Sequence, residues 1–192
     1  MPENIENLIL ASGSPRRKQL LTEHEYQFSV IVPDESVEES ISKDLDAKAF
    51  VKAASFAKAR AVAETIDVGI VLAADTIAVC DSQIIGKPVD RTDARRILEL
   101  LQGRQHFVLT GVTVWNCETG LNVTHVESTR LMMNSIGSIE LDHYLDSQQW
   151  QGKAGAFGYQ DGLDWVQIEN GLESNVVGLP VELIPELLGK VK

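Results

Sequence analysis

The chain has 192 residues, of which 44% are hydrophobic and 23% are charged, proportions that exclude disordered, collagen-like and coiled-coil chains. No apolar run approaches the ~20 residues that cross a bilayer, so no membrane partner is expected. Seventeen basic residues stand against 28 acidic ones, and the net charge of −11 argues against binding a nucleic-acid polymer.

A strand and a helix open the chain. Leu8–Ala11 is apolar without polar alternation, which is typical of a buried strand. Ser14 is a favourable N-cap and Pro15 suits the first helical position, so a helix is expected to begin here. Arg16 and Arg17 then fall in the first helical turn, where cations oppose the macrodipole. A bound polyphosphate would explain them, and two solvated surface arginines are the alternative.

Apolar patterning predicts alternating elements along the rest of the chain. In chain order these are a strand at His24–Val32, an acidic turn at Pro33–Ser42, a helix at Ala47–Ile66, a strand at Gly69–Asp75, hairpin arms at Thr76–Cys80 and Gln83–Gly86, a helix at Thr92–Leu101, long strands at His106–Cys117 and Leu121–Met133, a helix at Ser138–Ser147, a glycine-rich loop at Gln151–Gly162, a strand at Leu163–Ile168 and a helix at Pro180–Leu188. Interleaved helices and strands indicate the α/β class, and the long central hairpin favours a mixed sheet. No linker or repeat interrupts the chain, so one domain over residues 1–192 is expected.

Two residues near strand ends are candidates for chemistry. Asp75 closes a buried run that starts at Ile70, and α/β sheets bind ligands at the carboxyl ends of their strands. It could bind a divalent metal or act as a base, or it could be an ordinary turn aspartate. Lys87 lies between Gly86 and Pro88, where it suits a point-charge contact to phosphate or a plain surface position.

The acidic turn and the glycine-rich loop offer further candidates. Glu35, Glu38 and Glu39 form a cluster that usually means a solvated loop. One of them could complete a Mg²⁺ site with Asp75, because Mg²⁺ favours one or two carboxylates plus phosphate oxygens. Gln160 follows the glycines and could pair with a nucleobase edge through its amide donor and acceptor.

Cysteine usage and the N-terminus point to the compartment. Cys80 and Cys117 lie in apolar runs without CxxC spacing, which predicts two reduced core thiols. The acidic segment Met1–Asn7 has neither the basic nor the apolar region of a secretory signal. A cytoplasmic location is therefore expected.

Six short blocks, taken together and in order, resemble the Maf family of nucleotide pyrophosphatases. They are Leu8–Arg17, Ala74–Thr76, Gly86–Pro88, Thr110–Val112, Gly152–Gly158 and Val177–Pro180. The resemblance implies a Maf/ITPase-like α/β fold, with a mixed, curved sheet flanked by helices and two lobes around a cleft. It also implies hydrolysis of a nucleoside triphosphate to the monophosphate and pyrophosphate, Mg²⁺ or Mn²⁺ as cofactor, and a homodimer.

The same resemblance implies roles for individual residues. The expected catalytic residues are Asp75, Lys87 and Glu38, with Asp75 and Glu38 also as metal ligands and Glu35 or Glu39 as alternatives to Glu38. The expected substrate-binding residues are Ser12, Ser14, Arg16, Arg17, Lys58, Thr76, Lys153 and Gln160. The combination of Arg16, Thr76 and Gln160 resembles the dTTP/UTP group of the family and differs from the 7-methyl-GTP group.

Two rival functions follow from the same resemblance. The first is a non-catalytic, nucleotide-sensing regulator of septum formation and cell division, which would bind a triphosphate without releasing pyrophosphate. The second is a clean-up pyrophosphatase for modified purine nucleotides. Pyrophosphate release by the pure protein separates the regulator from the enzyme, and a panel of substrates separates the two enzymes.

Overall fold

One mixed β-sheet flanked by helices organises the computed structural model, which describes residues 7–34, 36–39, 41–42 and 44–192. The strands are β1 (Leu8–Leu10), β2 (Phe28–Val30), β3 (Ile70–Cys80), β4 (Gln83–Ile85), β5 (Arg104–Asn116), β6 (Asn122–Met133) and β7 (Val166–Asn170). The helices are α1 (Pro15–Glu23), α2 (Ser36–Glu39), α3 (Ala47–Ala63), α4 (Arg91–Leu101), α5 (Ser138–Asp146), α6 (Glu173–Val177) and α7 (Ile184–Gly189). Short 3-10 turns cover Ala154–Ala156, Tyr159–Asp161 and Val181–Leu183.

The sheet combines parallel and antiparallel pairs. Its strand order is β2-β1-β3-β5-β6-β7, and β4 pairs with the end of β3. Strand β1 runs parallel to both β2 and β3, whereas β3, β5, β6 and β7 are joined by antiparallel pairing. The predicted α/β class and mixed sheet are therefore confirmed.

Strand β3 is longer than the prediction. The predicted strand ends at Asp75 and the predicted hairpin arm begins at Thr76, but β3 passes through both residues without a break. Asp75 lies opposite Gly111 and Thr76 opposite Thr110 on β5, so the ladder continues across these two polar positions. The catalytic candidate therefore lies in the middle of a strand and not at its end.

Other predicted boundaries differ more modestly. Strand β2 begins at Phe28, because α1 reaches Glu23 and a turn with Glu25 at φ 60° follows it. The acidic turn contains the short helix α2. Strand β7 begins at Val166 instead of Leu163, and the prediction missed α6 altogether, because five residues are too few to show a helical pattern.

Two large apolar clusters lie on different groups of helices. One joins α4, α5 and β7 through side chains that include Leu98, Tyr144 and Trp165. The other joins α1 and α7 to strands β1 and β3. Helix α3 covers the opposite part of the sheet, with Val51 and Ala59 buried.

The local predictions at the first helix hold. Ser14 is the N-cap of α1 and its hydroxyl accepts a hydrogen bond from the Arg17 backbone N–H at 3.5 Å. Pro15 occupies the first turn.

Both cysteines are free thiols: Cys80 is buried, as predicted, but Cys117 is only half-buried near the end of β5. Within the described residues, the helices are too short or too polar to span a bilayer.

Candidate active site

A cavity of about 580 Å³ lies between the start of α1, helix α3 and the glycine-rich loop. The predicted site residues that line it are Ser12, Ser14, Arg16, Arg17, Glu38, Lys58, Thr76, Lys87, Lys153 and Gln160. Asp75 does not line the cavity. Its carboxylate accepts a hydrogen bond from Lys58, which does line the cavity. The fold thus brings together predicted residues that lie as far apart in sequence as Ser12 and Gln160.

The acidic centre of the cavity is organised around one ammonium group. The Nζ atom of Lys58, on α3, lies 2.6 Å from Asp75 Oδ1 and 2.6 Å from Glu38 Oε1. Asp75 is only 8% exposed, whereas about half of the Glu38 side chain is open to solvent. Lys58 therefore pairs with a buried carboxylate and with a half-exposed one at the same time.

Of the acidic-turn glutamates that the structure describes, Glu38 is the one that contacts this centre. It lies on α2 and pairs with Lys58. Glu39 is exposed and does not line the cavity. Glu35, the other alternative, falls outside the described residues. The geometry therefore favours Glu38 over Glu39.

Arg17 is held rigidly behind the first turn of α1. Its guanidinium donates to Ser12 Oγ at 3.0 Å, to Thr76 Oγ1 at 3.1 Å and to the Gly178 carbonyl at 2.9 Å. Burial lowers the pKa of Arg17, and the negative charge of Asp75 partly offsets that effect. An arginine never loses its proton in proteins, so Arg17 places a fixed positive charge next to Ser12 and Thr76.

Arg16 has a different environment from its neighbour. It is half-buried, and its Nη2 donates to the carbonyl of Gly152 at 3.1 Å. Burial lowers the pKa of Arg16, and the nearby carboxylate of Asp161 raises it. Arg16 therefore connects the start of α1 to the glycine-rich loop across the mouth of the cavity.

Two predicted residues present unoccupied functional groups to the cavity. Lys87 and Gln160 are both exposed, and within the described residues neither side chain forms a hydrogen bond or ion pair. Lys87 follows β4 in the Gly86–Pro88 loop. A free ammonium group and a free amide at the cavity surface are available to an incoming anion and to a polar ring edge respectively.

Several residues of the site escaped the sequence analysis. Thr110 Oγ1 lies 3.0 Å from Thr76 Oγ1 and donates to the Asn175 carbonyl at 3.2 Å, behind Arg17. Asp161 pairs with Lys153 under the glycine-rich loop. Thr110 begins one of the six family blocks, so that block was a signal for it, whereas Asp161 had only its position after Gln160.

The donor set at the acidic centre fits a divalent cation in part. Asp75 and Glu38 converge on one positive charge, and two carboxylates with phosphate oxygens match the preference of Mg²⁺. In the described part of the chain no three His, Cys, Asp or Glu side chains gather as a complete metal site. Substrate oxygens would therefore have to supply the remaining ligands.

Comparison with known proteins identifies relatives over nearly the whole chain. The family described as "Maf-like protein" matches residues 7–191. A dTTP/UTP pyrophosphatase of Rhodopirellula baltica is 50% identical over 96% of this chain and 82% of its own length. A dTTP/UTP pyrophosphatase of Bacillus cytotoxicus is 42% identical over 95% of each chain. Among solved structures, a HAM1 protein from Coxiella burnetii aligns with a TM-score of 0.51 at 15% identity, covering 96% of this chain and 99% of that one, which supports the fold alone.

Proposed function

The chain belongs to the Maf family, and we propose that it hydrolyses dTTP and UTP to the nucleoside monophosphate and pyrophosphate. Two relatives that bear this activity in their names align over almost all of the chain. The observation that carries the proposal is geometric. Arg17, in the first turn of α1, and Lys58, which is paired with the buried carboxylate of Asp75, line one cavity, so a polyphosphate bound at the arginine lies near that carboxylate.

In this proposal the cations share the charge of the triphosphate. Arg17, Lys58 and Lys87 face the anionic tail with Arg16, and the hydroxyl groups of Ser12 and Ser14 add donors at the helix start. These groups also stabilise the negative charge that develops on the departing pyrophosphate. These roles are supported by the position of all six residues in the lining of the same cavity.

In the same proposal, the glycine-rich loop binds the nucleobase of the substrate. The free amide of Gln160 can donate to and accept from the polar edge of a pyrimidine. Lys153 lies in the same loop and lines the cavity beside it. Thr76 shapes the cavity between Asp75 and Arg17, and its hydroxyl accepts a hydrogen bond from Arg17.

The reaction is an attack of water on the α-phosphorus. The water oxygen forms a bond to that phosphorus while the bond to the oxygen bridging the α- and β-phosphates breaks, and pyrophosphate leaves. Asp75 accepts the proton of the water and later releases it to solvent. Lys58 orients the carboxylate of Asp75, as its 2.6 Å contact supports.

A divalent cation, Mg²⁺ or Mn²⁺, would be held by Asp75 and Glu38 together with phosphate oxygens. Its chemistry would be to polarise the phosphoryl group and to lower the pKa of a bound water. The support is the convergence of the two carboxylates on Lys58.

Pyrophosphate release from dTTP and UTP by the pure protein, with Mg²⁺ or Mn²⁺, tests the proposal. Asp75→Asn should lower kcat by about 10²–10⁴-fold because it removes the general base. Asp67→Asn, at an exposed aspartate, is the matched control and should retain wild-type turnover. Wild-type rates in Asp75→Asn would refute the assignment of the base.

The same assay separates the rivals. A nucleotide-sensing regulator of cell division would bind UTP without releasing pyrophosphate. A clean-up enzyme for modified purine nucleotides would turn these over faster than dTTP and UTP at equal concentration. The proposed enzyme releases pyrophosphate and prefers the two pyrimidine nucleotides.

Assembly, compartment and domain organisation complete the proposal. We propose one domain over residues 1–192, supported by the single sheet that unites the described strands. The free thiols of Cys80 and Cys117 suit the reducing cytoplasm. A homodimer, as the family resemblance implies, would be detected by light scattering of the purified chain.

A further inference from the structure

A largely buried ion pair lies directly under the glycine-rich loop. Lys153 Nζ contacts Asp161 Oδ2, and only 12% of each side chain is exposed. Lys153 and Gln160 are among the loop residues that line the cavity, and Asp161 directly follows Gln160. A carboxylate is rarely buried unless it has a partner, so this pair holds two points of the loop together.

The pair is packed against the loop backbone at Gly158. A Cβ atom at this position would lie 2.6 Å from Lys153 Nζ and 2.7 Å from Asp161 Oδ2. The charged groups therefore occupy the space that any other side chain at Gly158 would need. The loop backbone at Gly158 therefore packs directly on the ion pair.

Asp161 also connects the loop to the apolar core. The hydroxyl of Tyr144, on α5, donates to Asp161 Oδ2 at 3.3 Å. Tyr144 is buried and packs edge-to-face on Trp165 with ring centroids 5.5 Å apart. Burial raises the pKa of Tyr144, so the hydroxyl remains a donor throughout the neutral range. The carboxylate of Asp161 is thus anchored to a rigid element.

Gln160 directly precedes the anchored Asp161 in the chain. It is the central residue of the 3-10 turn Tyr159–Asp161, and the backbone N–H of Asp161 donates to the Gly158 carbonyl at 3.0 Å. Within the described residues its own amide has no hydrogen-bond partner. Its place at the cavity is therefore set by the residues on either side of it.

We propose that Asp161 is a positioning residue for the nucleobase end of the substrate, because it fixes Lys153 and the 3-10 turn so that Gln160 faces the cavity. This inference rests on the proposed function for the role of Gln160. The ion pair is neutral as a whole, so the loss of both charges together changes recognition of the base more than attraction of the triphosphate tail. Asp161 belongs to none of the blocks that carry the family resemblance.

Binding measurements distinguish the two ends of the substrate without requiring turnover. Dissociation constants are measured by calorimetry, with Mg²⁺, for a UTP analogue that carries a methylene group between the α- and β-phosphorus and for inorganic tripolyphosphate. Asp161→Asn should weaken binding of the analogue by about tenfold, the scale of a small misplacement of a contact group. Binding of tripolyphosphate should not weaken, because its contacts lie at α1 and α3 and the unpaired Lys153 ammonium adds positive charge to the cavity.

Two further variants complete the experiment. Asp164→Asn, three positions away and exposed, is the matched control and should bind both ligands as the wild type does. Lys153→Met with Asp161→Asn removes both charges and leaves no unpaired buried ammonium, so it serves if the single variant does not fold. The double variant should show the same selective loss of analogue binding.

Three results would overturn the inference. These are wild-type affinity of Asp161→Asn for the analogue, an equal loss of affinity for both ligands, and a wild-type protein that binds the analogue no more tightly than tripolyphosphate. Absence of pyrophosphate release from the wild type would refute the proposed function instead, and the binding comparison would still decide the role of Asp161.

Discussion

The two adjacent arginines of α1 illustrate how different the environments of neighbouring residues become. The guanidinium of Arg17 donates three hydrogen bonds, to Ser12, Thr76 and the Gly178 carbonyl. Arg16 makes one, to the Gly152 carbonyl, and stays half-buried. Rigid cations cost no reorganisation when a charged ligand binds, so Arg17 is the better preorganised of the two.

Arg17→Lys should therefore raise the KM for UTP by about tenfold or more, although the charge is conserved. A lysine cannot reproduce a planar fork that reaches three acceptors at once. Steady-state kinetics of pyrophosphate release measure the effect. Arg60→Lys, an exposed arginine of α3 paired with Glu64, is the control and should leave KM unchanged. An unchanged KM in Arg17→Lys would contradict a role for its geometry.

Helix α3 illustrates how an element places a functional group. It carries Lys58 to the cavity while its other face packs on β5, where Gly111 lies beneath the backbone of Val51. A Cβ at Gly111 would lie 2.6 Å from the Val51 carbonyl carbon and would overlap its oxygen. The distance between α3 and the sheet therefore depends on the absence of a Cβ atom at Gly111. That distance in turn sets the position of Lys58 above Asp75.

Gly111→Ala should lower the free energy of unfolding by about 1–3 kcal/mol, the usual cost of overpacking a core. Urea denaturation monitored by circular dichroism measures the loss. Gly189→Ala at the end of α7, where a Cβ meets open space, is the control and should be neutral or slightly stabilising. Equal stability of the two variants would show that α3 can shift away from β5 at no cost.

Burial of His106 makes the stability of the whole molecule depend on pH. His106 on β5 is fully enclosed, and in the described structure neither ring nitrogen has a hydrogen-bond partner. Its ring packs edge-to-face on Phe157 of the glycine-rich loop, with centroids 5.5 Å apart. Burial lowers the pKa of His106 to about 4, against about 6.5 in an unfolded chain.

Between pH 6.5 and 4 the unfolded chain therefore binds a proton that the folded protein does not. His106 thus contributes a loss of stability as the pH falls through this window, up to about 3 kcal/mol near pH 4. As the pH falls from 6.5 to 4, the unfolding free energy of the wild type should therefore fall by about 3 kcal/mol more than that of His106→Leu. His143→Gln, at an exposed histidine, should show no such shift. Parallel pH profiles for His106→Leu and the wild type would contradict the prediction.

Features set by near neighbours could be predicted from the sequence, and contacts between distant segments could not. The strand β1, the Ser14 cap, the helix α3 and the α/β class follow from side-chain periodicity and capping chemistry, which act within about one helical turn. The residues expected at the site could be named because six blocks resemble one family. Their mutual arrangement required the sheet order β2-β1-β3-β5-β6-β7.

Only the tertiary structure decided which partners these residues have. It pairs Lys58 with Asp75, Arg17 with Thr76 across 59 positions, and Lys153 with an aspartate that no pattern singled out. The physical reason is that a charge or hydroxyl brings no local periodicity with it. Its environment is made by chain segments that meet only when apolar surfaces from the whole sequence are buried together.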